Sequence, residues 1–334
     1  MMRRLLTAVA SLKLTLVGMI SLLLSVLLAY RGELFSSNWV AVPFAVLALN
    51  LLAAIAINPR IRRQRGLLIF HVCLLVLAVL AGISVLMRFE ARVEIAEGQR
   101  FSPEQAQFLG AGLWHRNRLD EVDFVQGPIE VDYAAANTRR ATRSTVYLNE
   151  NQENGPVVVL GENQSLAMNS YRFVTTSNKG FAVTLSWHDP SGDTLTGAIH
   201  LPSYPLYEWK QENAWVTPAG QTVIVRLELP ARSSPEREWT LRSPDDAVTL
   251  EVRDGAARRV LAPGDSMSLV GGRLQFEGVR LWMGYRVEYN PWLPWMFMTA
   301  LLAIAGIGWH FYGRFRLSAR HEVAELSNGR WARS

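Results

Sequence analysis

Four stretches of the chain run without a charged residue for longer than a buried globular element requires: between Lys13 and Arg31, from Leu34 to Pro59, from Gly66 to Met87 and from Tyr289 to Gly313. A helix crossing a hydrocarbon layer of ~30 Å needs roughly 17 to 25 residues. The pattern therefore predicts membrane spans at about 14–30, 39–57, 67–87 and 292–312. Arg3 and Arg4 give the first the head of a signal peptide, but no A-x-A-like site precedes the next loop, so an uncleaved span is expected.

Between the third and fourth spans the period changes. From Val93 to Glu288, Gly, Pro, Asn and Asp punctuate short runs rich in Val, Thr, Leu, Tyr and Trp, a pattern of strands. Examples are Ser144–Leu148, Val157–Leu160, Tyr171–Thr176, Ala182–Trp187, Thr222–Leu229, Ala247–Val252 and Leu274–Val279, with turns predicted at Asn178-Lys179-Gly180 and Asp189–Asp193. Such spacing predicts an antiparallel sandwich or open barrel, with a helix over 101–120. The expected fold is an integral membrane protein, with four transmembrane helices and a large extracytoplasmic β-rich domain between helices 3 and 4. Its division is 1–87 (three spans), 88–290 (β-rich domain), 291–312 (fourth span) and 313–334 (cytoplasmic tail).

Charge adds orientation. The chain has a formal charge of +5 over 334 residues, which on its own fits nucleic acid, anionic lipid or a topology signal. Its distribution decides. Arg3, Arg4 and Lys13 precede the first span, Arg60, Arg62, Arg63 and Arg65 crowd the loop between the second and third, and Arg314, Arg316 and Arg320 follow the fourth. Cationic loops stay on the cytoplasmic side. Both termini are then expected in the cytoplasm, the β-rich domain in the periplasm or its equivalent, and the chain in the cytoplasmic membrane. A nucleic-acid partner loses its support.

The single cysteine, Cys73, excludes a disulfide framework, a CxxC redox pair, a thiolate zinc site and a CxxCH haem attachment within this chain. No Gly-x-Ser-x-Gly elbow, phosphate loop or HExxH is present, so no catalytic residue is proposed. His115, His188 and His200 stand isolated, and Asp120, Glu121 and Asp123 read as a solvated face. A transporter would need buried carboxylates or an inverted repeat, and neither is seen.

The informative residue is His71, inside the third span. Ionisable groups there are rare and usually face a bundle interior or a cofactor. Its Cα would lie roughly 7 to 8 Å inside the cytoplasmic boundary, where an imidazole could ligate haem iron. The alternative is a neutral histidine bonded to a backbone carbonyl or to Ser11, Ser21 or Ser25 of the first span. His310, near the inner end of the fourth span, is a second candidate ligand, with interface anchoring as its simpler role. Trp282, Tyr285, Tyr289 and Asn290-Pro-Trp-Leu-Pro-Trp-Met-Phe297 read as an aromatic belt at the outer end of that span.

Together the layout and local motifs resemble the ResB family, also called CcsB, of system II cytochrome c biogenesis. The resemblance covers most of the chain. It rests on Ser11-Leu-Lys-Leu-Thr-Leu16 entering the first span, the arginine-rich inner loop, His71 in the third span, the outer β-rich domain, and the return through Gly284-Tyr-Arg-Val-Glu-Tyr-Asn-Pro291 into a last helix with Gly306 and Gly308. The order of these motifs carries the specificity, and the outer domain is short for the family. The resemblance implies a cytochrome c maturation subunit that works with a ResC/CcsA-type haem-handling membrane protein. The pair would bind and export haem b, held non-covalently in transit, and support its attachment to CxxCH thiols of apocytochrome c. His71 matches the position of an axial ligand in such proteins. The chain would then be a non-catalytic or co-catalytic subunit of a cytochrome c synthase (haem lyase). The alternative is a membrane-anchored β domain serving as a structural, sensory or assembly subunit without haem.

Overall fold

The computed structural model describes residues 2–31, 36–148, 156–229, 236–244, 248–255 and 257–331. Residues 32–35 between the first two predicted spans, Ala247 at the head of a predicted strand and the last three residues of the predicted tail lie outside the described residues. The chain divides into two compact units. One is helical and takes residues up to Phe89, 111–116 and from Tyr289 on; the other takes 90–110 and 117–288.

The helical unit contains α1 (Met2–Val9), α2 (Leu12–Arg31), α3 (Ala41–Ile57), α4 (Pro59–Arg63), α5 (Arg65–Met87) and α6 (Leu293–Trp331). Four helical segments are long and apolar enough to cross a membrane: Leu12–Arg31, Ser37–Ile57, Arg65–Met87 and Leu293–Phe315. They lie where the charge-free runs predict them, and residues 313–331 of the predicted tail continue the last helix. The elbow between α1 and α2 is held by Asn50 of α3, which is buried. Its Nδ2 donates to the carbonyls of Val9 (2.6 Å) and Ser11 (3.2 Å), while its Oδ1 accepts from Thr15 Oγ1 at 2.8 Å. Asn58 ends α3 in an extended conformation and caps α4, accepting from the Arg60 amide at 3.0 Å, with Pro59 at the first helical position.

The second unit is built from three antiparallel sheets, and among the described residues none closes into a barrel. The seven-stranded sheet contains β1 (Phe89–Ala96), β2 (Gln107–Ala111), β6 (Leu166–Met168), β7 (Tyr171–His188), β8 (Thr194–His200), β14 (Ser266–Leu269) and β15 (Gly272–Tyr289), in the order β2-β1-β15-β7-β6 with β8 on β7 and β14 on β15. A second sheet is β13 (Ala257–Leu261), β12 (Thr249–Asp254), β10 (Thr222–Glu228) and β9 (Glu212–Val216). The third is β11 (Trp239–Leu241), β3 (Val125–Ala134), β4 (Thr138–Tyr147) and β5 (Val157–Leu160). Alternation drives their packing: along β10, Val223, Val225 and Leu227 are buried while their neighbours are exposed.

Three expectations are corrected. Residues 101–120 do not form an α-helix: Pro103 starts one 3₁₀ turn (Pro103–Gln105), Leu119 starts another (Leu119–Glu121), and between them Gln107–Ala111 joins the seven-stranded sheet beside β1. Asn178-Lys179-Gly180 is not a turn but lies within the continuous strand β7. Its glycine serves close approach, since a Cβ there would stand 2.9 Å from the Pro202 carbonyl and 3.0 Å from Trp282 Nε1. Trp282 and Tyr285 are not belt residues; both are buried core of the β-rich unit.

That core has two polar features. Gln126 Nε2 donates to Ser144 Oγ (2.9 Å), Ser144 Oγ lies 2.6 Å from Tyr285 Oη, and Tyr285 Oη donates to Gln126 Oε1 (2.5 Å), a closed ring of three buried side chains. Lys179 is also buried, with Nζ donating to the Ser177 carbonyl at 3.3 Å and standing 5.4 Å from the centre of the Tyr133 ring.

Candidate functional site

Leu67-Leu-Ile-Phe70 and Val72-Cys-Leu-Leu75 make the flanks of His71 uniformly apolar, and α5 packs against both α3 and α6. Contact with α6 is backbone to backbone. A Cβ on Gly66 would lie 2.7 Å from the Gly306 carbonyl oxygen and 2.7 Å from the His310 amide nitrogen; one on Gly306 would lie 3.0 Å from the Phe70 nitrogen. At Gly66, where every near atom is backbone, only glycine permits this approach.

His71 stands five residues beyond Gly66, about 140° around the helix from that seam. It lies within about 20° of Gly82, whose missing Cβ would meet the Phe44 side chain at 3.5 Å on α3. The half-buried imidazole thus occupies the stripe of α5 that turns toward α3, not the one that meets α6. Its Nδ1 is 2.8 Å from the Leu67 carbonyl, one turn back. In the neutral ring that contact places the proton on Nδ1 and leaves Nε2 as the basic nitrogen. The Phe70 ring sits edge-on at 5.5 Å.

The serines considered as partners are engaged in their own helix: Ser21 Oγ donates to the Gly18 carbonyl, Ser25 Oγ to that of Leu22, and Ser11 Oγ accepts from the Leu14 amide. His310 is half-buried, with its backbone against Gly66 and its ring 5.5 Å from that of Phe311. Among the described residues its ring makes no contact with that of His71. Arg60, Arg62, Arg63 and Arg65 are exposed and, among the described residues, form no ion pair. Cys73 is buried in α5.

These positions fit haem as half of a site. An imidazole whose Nδ1–H is held by a carbonyl is the usual form of a metal-bound histidine, and exposed guanidinium groups at the same end of α5 suit propionates. Among the described residues no second candidate ligand is brought beside His71.

The other histidines are tied into structure. His188 contacts Thr194 Oγ1 and Gln275 Oε1, each at 3.0 Å. His200 lies 3.3 Å from Glu94 and stacks on Trp282 at 5.5 Å. Asp123 pairs with Arg100, which holds its carboxyl below the usual range, and Glu121 pairs with Arg118 at 2.6 Å. Among the described residues no group of three or more His, Cys, Asp or Glu could hold a metal ion. An open polar cleft of ≈ 870 Å³ crosses the seven-stranded sheet, lined by Arg92, Glu94, Gln107, Asn178, His200 and Arg286 among others.

Two features escape a reading of the sequence. Asn50 sits in a charge-free run, where a lone amide among Leu and Ala was the available signal. The end of α5 is covered by residues 111–116, a long-range pairing with no local signature.

No family model matches the sequence, and no curated protein does. Among solved structures, the cytochrome c haem lyase CcmF is similar in part. The identity to CcmF is 14% over 90% of this chain, with a TM-score of 0.29. The chain spans about a third of the length of CcmF, 34%. At that score CcmF carries no argument about this chain's fold or chemistry.

Proposed function

We propose that this chain is the haem-presenting subunit of a cytochrome c maturation complex, with His71 as one axial ligand of haem b. The observation that carries the reading is the His71 ring itself: an ionisable side chain within a membrane-length helix, its Nδ1 on the Leu67 carbonyl and its stripe distinct from the Gly66–Gly306 seam. The Nδ1 bond to the Leu67 carbonyl is one that a purely structural helix histidine also makes, so the reading rests on Nε2, which makes no hydrogen bond among the described residues. The second ligand, in this proposal, comes from a ResC/CcsA-type haem-handling membrane protein packed beside α5, and His310 stays in the α5–α6 seam.

In this scheme the protein lies in the cytoplasmic membrane, both termini and the arginine loop inside and the β-rich domain in the periplasm, where apocytochrome c is met. Arg60, Arg62, Arg63 and Arg65 attract the propionates, and His71 holds the iron in place. Bound haem supplies the vinyl groups that the CxxCH thiols consume. The thiols belong to the substrate, so a chain whose one cysteine is buried in a helix suits the role.

The test is an optical spectrum of the detergent-solubilised protein, alone and with its partner, for wild type and His71→Gly. A Soret band with reduced α and β peaks, lost in the variant and restored by added imidazole, is expected. A spectrum indifferent to the substitution, or a haem-free complex, overturns it. The second reading, an anchored β domain that senses or assembles without haem, is favoured by the polar cleft of ≈ 870 Å³ in the β-rich unit. It predicts normal function in His71→Gly.

A further inference from the structure

The last carbonyls of a membrane-length helix need partners, and where water is scarce the protein has to supply them. At the end of α5 away from the arginine loop they come from residues 111–116. The Trp114 amide donates to the Leu86 carbonyl and the Gly112 amide to the Arg88 carbonyl, both at 2.7 Å, and His115 Nδ1 lies 3.2 Å from the Met87 carbonyl. The Leu113 amide donates to Asn38 Oδ1 at 3.1 Å. Gly112 lies so close that a Cβ would stand 2.2 Å from the carbonyl carbon and oxygen of Leu86. The His115 ring stacks on Phe89 at 4.8 Å and meets Tyr289 edge-on at 4.9 Å.

With its backbone and His115 turned onto the helix end, the loop turns its largest apolar side chains out: Leu113 is 75% and Trp114 56% exposed. Trp39, at the start of the second span, and Trp295, at the start of the fourth, are 60% and 64% exposed. Arg116 ends the loop, and Arg88, whose carbonyl accepts from Gly112, follows the end of α5. Trp beside Leu, with arginines next to them at the terminus of a span, is the composition of a bilayer interface.

We infer that residues 111–116 are an interfacial anchor, with Leu113 and Trp114 inserted among the headgroups and upper acyl chains of the leaflet at that end of the spans. The amides of Gly112, Leu113, Trp114 and His115 all donate within the protein, which lowers the cost of placing this loop against lipid. Such an anchor depends on the spans and not on haem.

The full chain in nanodiscs of phosphatidylcholine and phosphatidylglycerol provides the test. With Cys73→Ala as background, spin labels at Leu113→Cys, Leu301→Cys in α6 and Ser191→Cys in the β7–β8 turn are compared by power saturation. The Leu113 label is expected to collide more with oxygen than with a water-soluble nickel chelate, and several-fold less with nickel than the Ser191 label. A Leu113 label as nickel-accessible as the Ser191 label overturns the inference. Quenching by brominated lipid tests it with a milder change: wild type is expected to lose a share of emission that Trp114→Phe does not, and equal quenching of the two overturns it.

Discussion

The two units bury opposite things. In the β-rich unit Val131, Phe173, Phe181, Leu250 and Phe276 are fully buried and the arginines lie outside, while in the helical unit Leu16, Ile20, Leu24 and Leu301 face outward and Asn50 and Ser25 are inside. One chain is folded for two solvents. Where water is the solvent, apolar burial drives the fold and a polar core group must be matched. Where lipid is the solvent, leucine gains little by turning inward, so small residues and hydrogen bonds hold the helices together. A polar residue in the interior therefore means different things in the two units.

The sharpest break comes at the helix seam. Gly66→Leu forces a side chain into the backbone of α6 and should cost ~3 kcal/mol or more, at the upper end of overpacking, with loss of monodisperse protein in detergent. A Gly66→Leu protein that melts like wild type would mean that α5 and α6 are not in this contact.

Next is Lys179. Burial pushes its pKa down to about 8, with the Arg139 charge adding to the shift and Glu162 opposing it. A lysine whose folded pKa is depressed weakens the fold while it is charged. The penalty is full below pH 8 and fades between 8 and the unfolded value of 10.5. Lys179→Met is expected to stabilise the β-rich unit by about 2–3 kcal/mol at pH 7 and by little above pH 10.5. Denaturant melts across that range check both the sign and the window.

Tyr285→Phe and Asn50→Leu compare the units directly. Opening the Gln126–Ser144–Tyr285 ring leaves buried groups unmatched in a protein core and should cost ~1–3 kcal/mol. Removing the Asn50 amide breaks more hydrogen bonds, yet should cost about 1 kcal/mol, because polar contacts between membrane helices average less. Equal losses in denaturant and detergent melts would erase the contrast between the two units.

The smallest effect is at His115, whose pKa is lowered by burial, against a raising contribution from the Met87 carbonyl. A histidine held neutral loses its contribution as pH falls from the unfolded value of 6.5 through the lower folded one. Amide exchange in residues 111–116 should quicken on acidification below 6.5, and His115→Phe should flatten the response.

Helix positions were legible because a charge-free run of span length suits a membrane and little else, and His71 stood out for the same reason. Which stripe of α5 it occupies was not legible: that depends on Gly66 meeting Gly306 and Gly82 meeting Phe44, contacts between distant segments. Strand content was legible from alternation, but Asn178-Lys179-Gly180 misled because the composition that marks a turn also marks a tightly packed strand. Trp282 and Tyr285 misled because aromatic residues near a span suit a belt and a core equally. Nothing local announced that residues 111–116 leave their sheet to cover a helix end.

The α5–α6 seam has a consequence for suppressor genetics. The atoms nearest a new Cβ at Gly66 are all backbone, the Gly306 carbonyl and the amide and Cα of His310. Trimming a side chain opposite makes no space, so revertants of Gly66→Ala should return to glycine or shift the helix as a whole. At Gly306 the nearest atom is Cγ2 of Ile69, 2.9 Å away. There a second-site change to a smaller residue at Ile69 relieves the shortest contact and leaves the Phe70 nitrogen at 3.0 Å to give way, so a partial suppressor is expected at Gly306 and none at Gly66.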